Sequence, residues 1–423
     1  MFSKLKSFFL ENHDTRQTIA KNTAWLFIGQ TVSRVLRAGI VIYAARILSV
    51  GSWGAFSYAL GIATFLTVFS DIGLNALITK TASRDPSLRT RYVATALGVK
   101  LALIIVLFIG TLIIFPRVAR IEEATAIMPI LLFLFAFDTI RDLGSAIARS
   151  MEKMQIEAGV HIWTNGAIAI FGFVALILHP SSEALALGYA LGSGFGMCLL
   201  LYKFRDEFKD LINRFDRTLV RQILTKAWPF GLLGLMGVVM LNSDIIMIGS
   251  LRSAEEVGYY SAAQKIIQIL YMLPTFLAVS AFPSLARTLK DDPETGKKIF
   301  SGAVRLAVIA SIPIALIGIF FAKPIMLLLF GQAYLASVTA FQILISTVLI
   351  VFPSSIVGNA IFAYDAEKSF ISLVAVAVLG NIFFNVLLIP RFGIEGSAFS
   401  TLITQILVNG LLWIKIKKLE RSS

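Results

Sequence analysis

The chain has 423 residues, 57% hydrophobic and only 15% charged, with a formal net charge of +13 and a mean hydropathy of +0.81. A soluble domain carries about 25% charged residues, so one large soluble enzyme, a disordered chain and an alternating-strand β-barrel are excluded. What fits is an all-α, polytopic membrane protein. The basic excess orients such a chain, binds anions, or does both.

Residues 1–21 put Phe2, Leu5, Phe8 and Phe9 at helical spacing with Lys4 and Lys6 between them. This predicts an amphipathic segment lying on the inner membrane face rather than a cleavable signal peptide. A spanning helix needs about 20 mostly apolar residues. Twelve such stretches follow, at roughly 22–48, 54–79, 92–115, 124–148, 156–178, 182–203, 227–250, 258–285, 298–322, 335–363, 369–390 and 393–416. The longest polar stretch divides them six and six. It gives a first lobe at 22–203, a cytoplasmic linker at 204–226, and a second lobe with a basic tail at 227–423. Cys198 is the single cysteine, without a CxxC or Cys/His cluster, and reads as a small buried apolar side chain. His179 falls in an outer turn and is expected to be solvated.

Lysine and arginine set the orientation. With the N-terminus inside, 26 of them fall on inner segments and six, Arg46, Arg117, Arg120, Arg252, Lys323 and Arg391, on outer loops. That bias predicts both termini in the cytoplasm. The remaining six, Arg34, Arg37, Lys100, Arg141, Lys265 and Arg305, lie within spans.

The halves also resemble each other. ILSVGSWGAFSYA (47–59) and LRSAEEVGYYSAA (251–263) match at a constant offset of 204, pairing Ser49 with Ser253, Gly54 with Gly258, Ser57 with Ser261 and Ala59 with Ala263. A weaker echo relates 176–190 to 387–401, with Pro180 facing Pro390. Each half has an even number of spans, so the repeat is parallel, its pseudo-two-fold along the membrane normal. Duplicated bundles of this kind hold substrate between the halves and rock them.

NSDIIMIGSLRSAEEVGYYSAAQKI (242–266) resembles the seventh-to-eighth helix region of bacterial polysaccharide transporters. These are the O-antigen-type lipid-linked oligosaccharide flippases of the multidrug/oligosaccharidyl-lipid/polysaccharide exporter superfamily. YAARILSVGSWGAFSYA (43–59), FSDIGLNALITKTASRD (69–85) and IPRFGIEGSAFSTLITQ (389–405) fit the same family. The resemblance covers about 22–416. It implies two six-helix lobes, a cationic central cavity, and a location in the cell inner membrane.

A charge at the bilayer centre costs about 2.5–3.5 kcal/mol on insertion scales, so each one calls for a reason. Arg34 and Arg37 lie about 18–22 Å into the first span, at ~1.5 Å per residue, and share one helix face. Two guanidiniums there suit a diphosphate, because each presents paired planar donors and stays charged. Pairing with a buried carboxylate such as Asp71 is the alternative. Lys265, Arg305 and Lys100 are further candidates for lining a cationic cavity, although Lys265 and Arg305 are near enough to span ends to snorkel.

Asp71, Asp138, Asp142 and Asp244 are candidates for ion coupling by a proton or sodium. The simpler readings are neutralisation of Asp138 and Asp142 by Arg141 on the same helix, and pairing of Asp244 with Lys265. Gln30, Asn75, Asn165, Asn242, Gln264, Asn359, Asn381 and Asn385 are polar within spans. Interhelical hydrogen bonding is their commoner use.

The function implied is translocation of an undecaprenyl-diphosphate-linked oligosaccharide from inner to outer leaflet by ion-coupled alternating access. The chain is read as a transporter rather than an enzyme. It has no GxxxxGK[ST] loop for ATP, no cofactor and no nucleic-acid partner. It is expected to act as a monomer, associated with a glycan polymerase or glycosyltransferases. One rival is a multidrug/cation antiporter of the same superfamily, which favours acidic cavities. The other is a membrane-embedded glycan polymerase. That rival calls for a large outer loop with carboxylates, and the longest outer loop here, near 323–334, has none.

Overall fold

Backbone N–H and C=O groups in hydrocarbon must be paired within their own segment, and the α-helix does this. The computed structural model describes residues 15–209, 214–275, 278, 285, 288, 292–364 and 367–422. Among these, the regular elements are all helical. They are α1 (Thr15–Ile47), α2 (Val50–Asp71), α3 (Leu74–Arg84), α4 (Arg89–Val118), α5 (Glu122–Ser150), α6 (Met154–Leu178) and α7 (Ser182–Lys203). After a five-residue helix at Arg205–Lys209 there follow α8 (Arg217–Leu251), α9 (Ala254–Leu270), α10 (Pro293–Phe320), α11 (Ala322–Phe330), α12 (Val338–Ser346), α13 (Val348–Ala363) and α14 (Glu367–Ser422). Side-chain caps start several of them at the turns. Ser181, Ser253 and Asp292 accept from the N–H groups of Ala184, Glu256 and Thr295.

Ten stretches among the described residues are long and apolar enough to cross a membrane. One of them, Ile371–Leu419, has 49 residues, about 74 Å at ~1.5 Å per residue and more than twice the ~30 Å core. It bends at Gly393, where φ is +56°, and makes two crossings. With α9 beside these crossings, the described residues fit a twelve-helix plan in two lobes. The amphipathic segment expected in residues 1–21 falls largely on 1–14, outside the described residues.

Three expectations are corrected. The span expected at 54–79 is not continuous. It breaks between α2 and α3 at Ile72 and Gly73, both with positive φ. Gly73 is the residue that permits this, because its backbone lies against that of Ala227 and Gly231 on α8, and a Cβ there would collide with both. The outer loop near 323–334 is ordered as α11 and a 3₁₀ turn at Gln332–Ser337, with the Phe330 and Tyr334 rings 5.5 Å apart. Cys198 is exposed on α7 rather than buried. A lipid-facing position is as apolar as a core one, so composition could not separate the two. His179 is exposed, as expected.

The chain divides into two compact units. The first comprises Met1–Leu48 and Ala59–Val238. Within it α6 packs on α7 and on α1. Small residues allow close approach, with Gly188 and Gly192 of α7 against Gly172 and Ile168 of α6. The second comprises Ser49–Tyr58 and Val239–Ser423. Within it α10 packs on α13, and α13 on α14.

Residues 49–58 therefore pack in the second unit, against the start of α9. The duplicated motif is what meets there. A Cβ on Gly54 would strike the Ala254 carbonyl oxygen, and one on Gly258 would strike that of Val50. At the offset of 204, Val50 corresponds to Ala254 and Gly54 to Gly258, so the two contacts are the same contact made twice. Tyr58 and Ser250 join their hydroxyls nearby at 3.3 Å.

Candidate functional site

In the first unit, Gln30, Arg34 and Arg37 follow one another at helical spacing on α1, all exposed. Arg34 donates to the Gln30 side-chain oxygen at 3.4 Å. The Arg37 guanidinium lies over the ring of Tyr189 on α7, 5.5 Å from its centroid. Stacking uses the guanidinium face and leaves its in-plane N–H donors available. The alternative partner for these arginines, Asp71, is held elsewhere. Its Oδ1 accepts from Lys100 Nζ at 2.7 Å.

That pair lines a cavity of about 140 Å³ together with Thr67, Asn75, Thr139 and Asp142. Lys100 is 1% exposed and Asp71 24%. Asp71 also accepts from the backbone N–H groups of Gly73 and Asn75, each at 3.2 Å, and so caps α3. Arg141 bridges its own helix, reaching Asp138 at 2.5 Å and Asp142 at 3.1 Å, and Ser193 donates to Asp138. Further along α5, Arg149 clasps Glu157 of α6 with Nη2 at 2.5 Å and Nε at 2.9 Å.

In the second unit, Asp244 on α8 is 3% exposed. Its donors are neutral: the Tyr260 hydroxyl at 2.6 Å, Asn385 Nδ2 at 2.7 Å and the Thr401 hydroxyl at 2.9 Å. Asn385 Nδ2 also reaches Asn381 Oδ1, which accepts from Ser243 as well. Asn385 Oδ1 is buried and accepts nothing. The ammonium of Lys265 reaches Gln268 at 3.4 Å, and Arg305 is exposed on α10.

Sequence reasoning named Asp244 but missed Tyr260 and Thr401 around it. Asn381 and Asn385, four apart on α14, were the available signal, echoed by Ser397 and Thr401 one crossing later. It also missed Tyr189 beneath Arg37, which carried no signal among many span aromatics.

A strap on the aqueous side closes the first unit. Arg91 and the Thr218 hydroxyl donate to the Asp216 carboxylate, and the Asp216 N–H donates to Thr95. The Thr218 hydroxyl, then Arg91, hold the Asp216 carboxyl down at about 2.

Comparison with known proteins matches residues 19–289 to the family described as polysaccharide biosynthesis protein, and residues 229–390 to the MatE family. A candidate O-antigen transporter of Shigella flexneri is 21% identical over 342 residues, covering 77% of this chain and 80% of that one. A candidate low-salt glycan biosynthesis flippase of Haloferax volcanii, Agl15, is 22% identical, covering 90% of this chain and 80% of that one. A solved structure of the lipid II flippase MurJ, in an inward closed conformation, superposes with a TM-score of 0.78 at 17% identity. That superposition covers 92% of this chain and 87% of MurJ.

Proposed function

The chain belongs to the polysaccharide biosynthesis protein family, and from that premise we propose that it flips a polyprenyl-diphosphate-linked oligosaccharide from the inner to the outer leaflet. It is a multi-pass membrane transporter of the flippase type. The observation that carries the finer reading is the α1 face. Arg34 and Arg37 are exposed well inside a span, and their contacts there are a neutral amide and an aromatic ring. Two guanidiniums so placed suit a diphosphate, which leaves water only if its charge is met. Lys265 and Arg305 are the proposed basic contribution of the second unit. The lipid tail stays in the bilayer throughout, and both termini lie in the cytoplasm.

Transport against the preference of the headgroup for water requires an energy source, and an ion gradient supplies it in this reading. Asp244 is the proposed ion site. A buried carboxylate ringed by hydroxyls and amides retains a net negative charge, and a sodium ion or proton completes it. Release then follows only if outward opening weakens the contacts to phosphate, since a ligand bound equally well in both states shifts neither.

The test is the double substitution Arg34→Ala with Arg37→Ala, scored for surface glycan and for protein in the membrane. Loss of glycan with protein retained, and lipid-linked oligosaccharide trapped inside, is the expected result. Normal glycan sinks the diphosphate clamp, and a change in drug sensitivity alone favours an antiporter.

A further inference from the structure

Asp71 serves two structures at once. One Oδ1 neutralises Lys100, which is buried and has Asp71 as its hydrogen-bond partner. The same carboxylate holds the N–H groups of Gly73 and Asn75 and so fixes the break between α2 and α3. The break carries strain. Ile72 adopts φ +45°, a region that β-branched residues rarely enter and that persists only when its surroundings hold it there.

We propose that Asp71 is an internal stand-in for phosphate. An anionic headgroup reaching the cavity takes Lys100 away from Asp71, Asp71 takes up a proton from solvent, and the bend in the second crossing is released. The proposal rests on the flippase reading, and it gives Lys100 the role of sensing the substrate.

The chemistry of exchange favours this order. A phosphate group carries more charge and more acceptor oxygens than a carboxylate, and lysine is a mobile point charge with three donors. The cavity, about 140 Å³, exceeds what one water needs and is far smaller than a pocket for a drug-sized ligand. It therefore takes a phosphoryl group and leaves the sugars outside.

Once Lys100 departs, Asp71 is a carboxylate without its counter-ion, sharing the cavity with Asp142. An unpaired carboxylate beside an incoming phosphoryl anion is repelled by it, and a proton relieves that repulsion. The other groups near it do not replace Lys100. Arg141 is committed to Asp138 and Asp142. Arg149 is within electrostatic reach of Asp71 and Asp142 but is bound to Glu157, which also has His161 3.8 Å away. On α3, Lys80 lies over the Phe230 ring, 5.7 Å from its centroid. From α8 the cavity receives Phe230, Gly231 and Gly234, none of them charged.

The step balances simply. One proton passes from water to one Asp71 oxygen, an O–H bond forms, and Lys100 remains an ammonium. The proton returns to water when the anion leaves. The exchange is thus a trigger with a pH dependence, and the driving force stays with the ion site.

The experiment uses the full-length protein in lipid nanodiscs with farnesyl diphosphate as the probe. Calorimetry in two buffers of different ionisation heat counts protons taken up on binding. The wild type should take up about one proton per probe, and Asp71→Asn none. With its internal competitor gone, Asp71→Asn should also bind the probe about tenfold tighter at pH 8. No proton uptake by the wild type, or no tighter binding by Asp71→Asn, overturns the proposal. The wild-type proton count decides even if the variant fails to fold. The flippase reading is separated by Arg34→Ala with Arg37→Ala: probe binding lost in that variant, beside a wild type that takes up no proton, keeps the clamp and removes the stand-in. A wild type that binds no probe overturns both.

Discussion

The two units treat a carboxylate within a span in opposite ways. In the first, Asp71 has its cation built in, a lysine 2.7 Å away. In the second, the donors to Asp244 are hydroxyls and an amide, all of them neutral. A carboxylate already neutralised responds to an incoming anion, which competes for its lysine. A carboxylate met only by neutral donors responds to an incoming cation. In the proposed reading, two lobes built on one repeated plan answer to opposite signs of charge. Positions 204 apart do not conserve either arrangement, since Asp71 corresponds to Thr275, Lys100 to Val304 and Asp244 to Ile40.

The largest effect that tests this contrast is on stability. Lys100→Met leaves Asp71, 24% exposed, without its counter-ion, and the loss should reach at most the ~3–5 kcal/mol of a fully buried pair broken from one side. Thermal unfolding of the detergent-solubilised protein should show it. Adding Asp71→Asn to the same chain should return most of the loss. If the double variant is as unstable as the single one, the pair is not the source.

Next in size is the response of the second unit to cations. An ion present at a hundred times its dissociation constant stabilises the state that binds it by about 2.7 kcal/mol. Wild-type unfolding should therefore shift upward with sodium at fixed pH, or upward as pH falls in the absence of sodium if the ion is a proton. Asp244→Asn should flatten that response while leaving the first unit's proton uptake unchanged. A wild type indifferent to both ions removes the coupling role of Asp244.

The smallest effect serves as a baseline outside both sites. Asp216 is held at about 2, below its usual value near 3.8, by Thr218 and Arg91. A group depressed in the folded state contributes stability that is present above its unfolded value and lost as pH falls through the folded one. Protection from hydrogen exchange at the start of α8, taken relative to the intrinsic rate at each pH, should thus be steady from pH 7 down to about 4 and fall only toward pH 2. Earlier loss would mean that the strap is not what anchors α8.

Much of the architecture was legible in the chain because hydrocarbon imposes a one-dimensional rule. Most span positions and the plan of two helical lobes follow from apolar length and short turns, whereas the compact units divide at Val238 and exchange residues 49–58. The break at Ile72–Gly73 was not legible. A hydropathy window averages over two residues, and the cause lies in backbone contact with α8, about 150 residues later. Every charge at the candidate sites was visible, but a partner only where it lies on the same helix. Spacing within one helix gave Arg141 its neighbours and gave Arg34 and Arg37 a shared face. Asp71 with Lys100, and Asp244 with Asn385 and Thr401, join different helices, and no local period encodes that. Cys198 shows the remaining blind spot, since lipid and protein interior select the same apolar composition.

The paired glycines at the start of α2 and α9 bear on ancestry. A contact in which one residue meets a second, and the equivalent of the second meets the equivalent of the first, is the isologous contact of a symmetric homodimer. Gly54 with Ala254 and Gly258 with Val50 have that form within one polypeptide. A six-helix ancestor pairing with its own copy would have needed one glycine, used twice. This chain carries two, and each is restrained by the backbone of the other's neighbour. Asp71 and Asp244 show how far the halves have diverged in chemistry. At Gly54 and Gly258 neither half can add so much as a methyl group unless the opposing backbone moves.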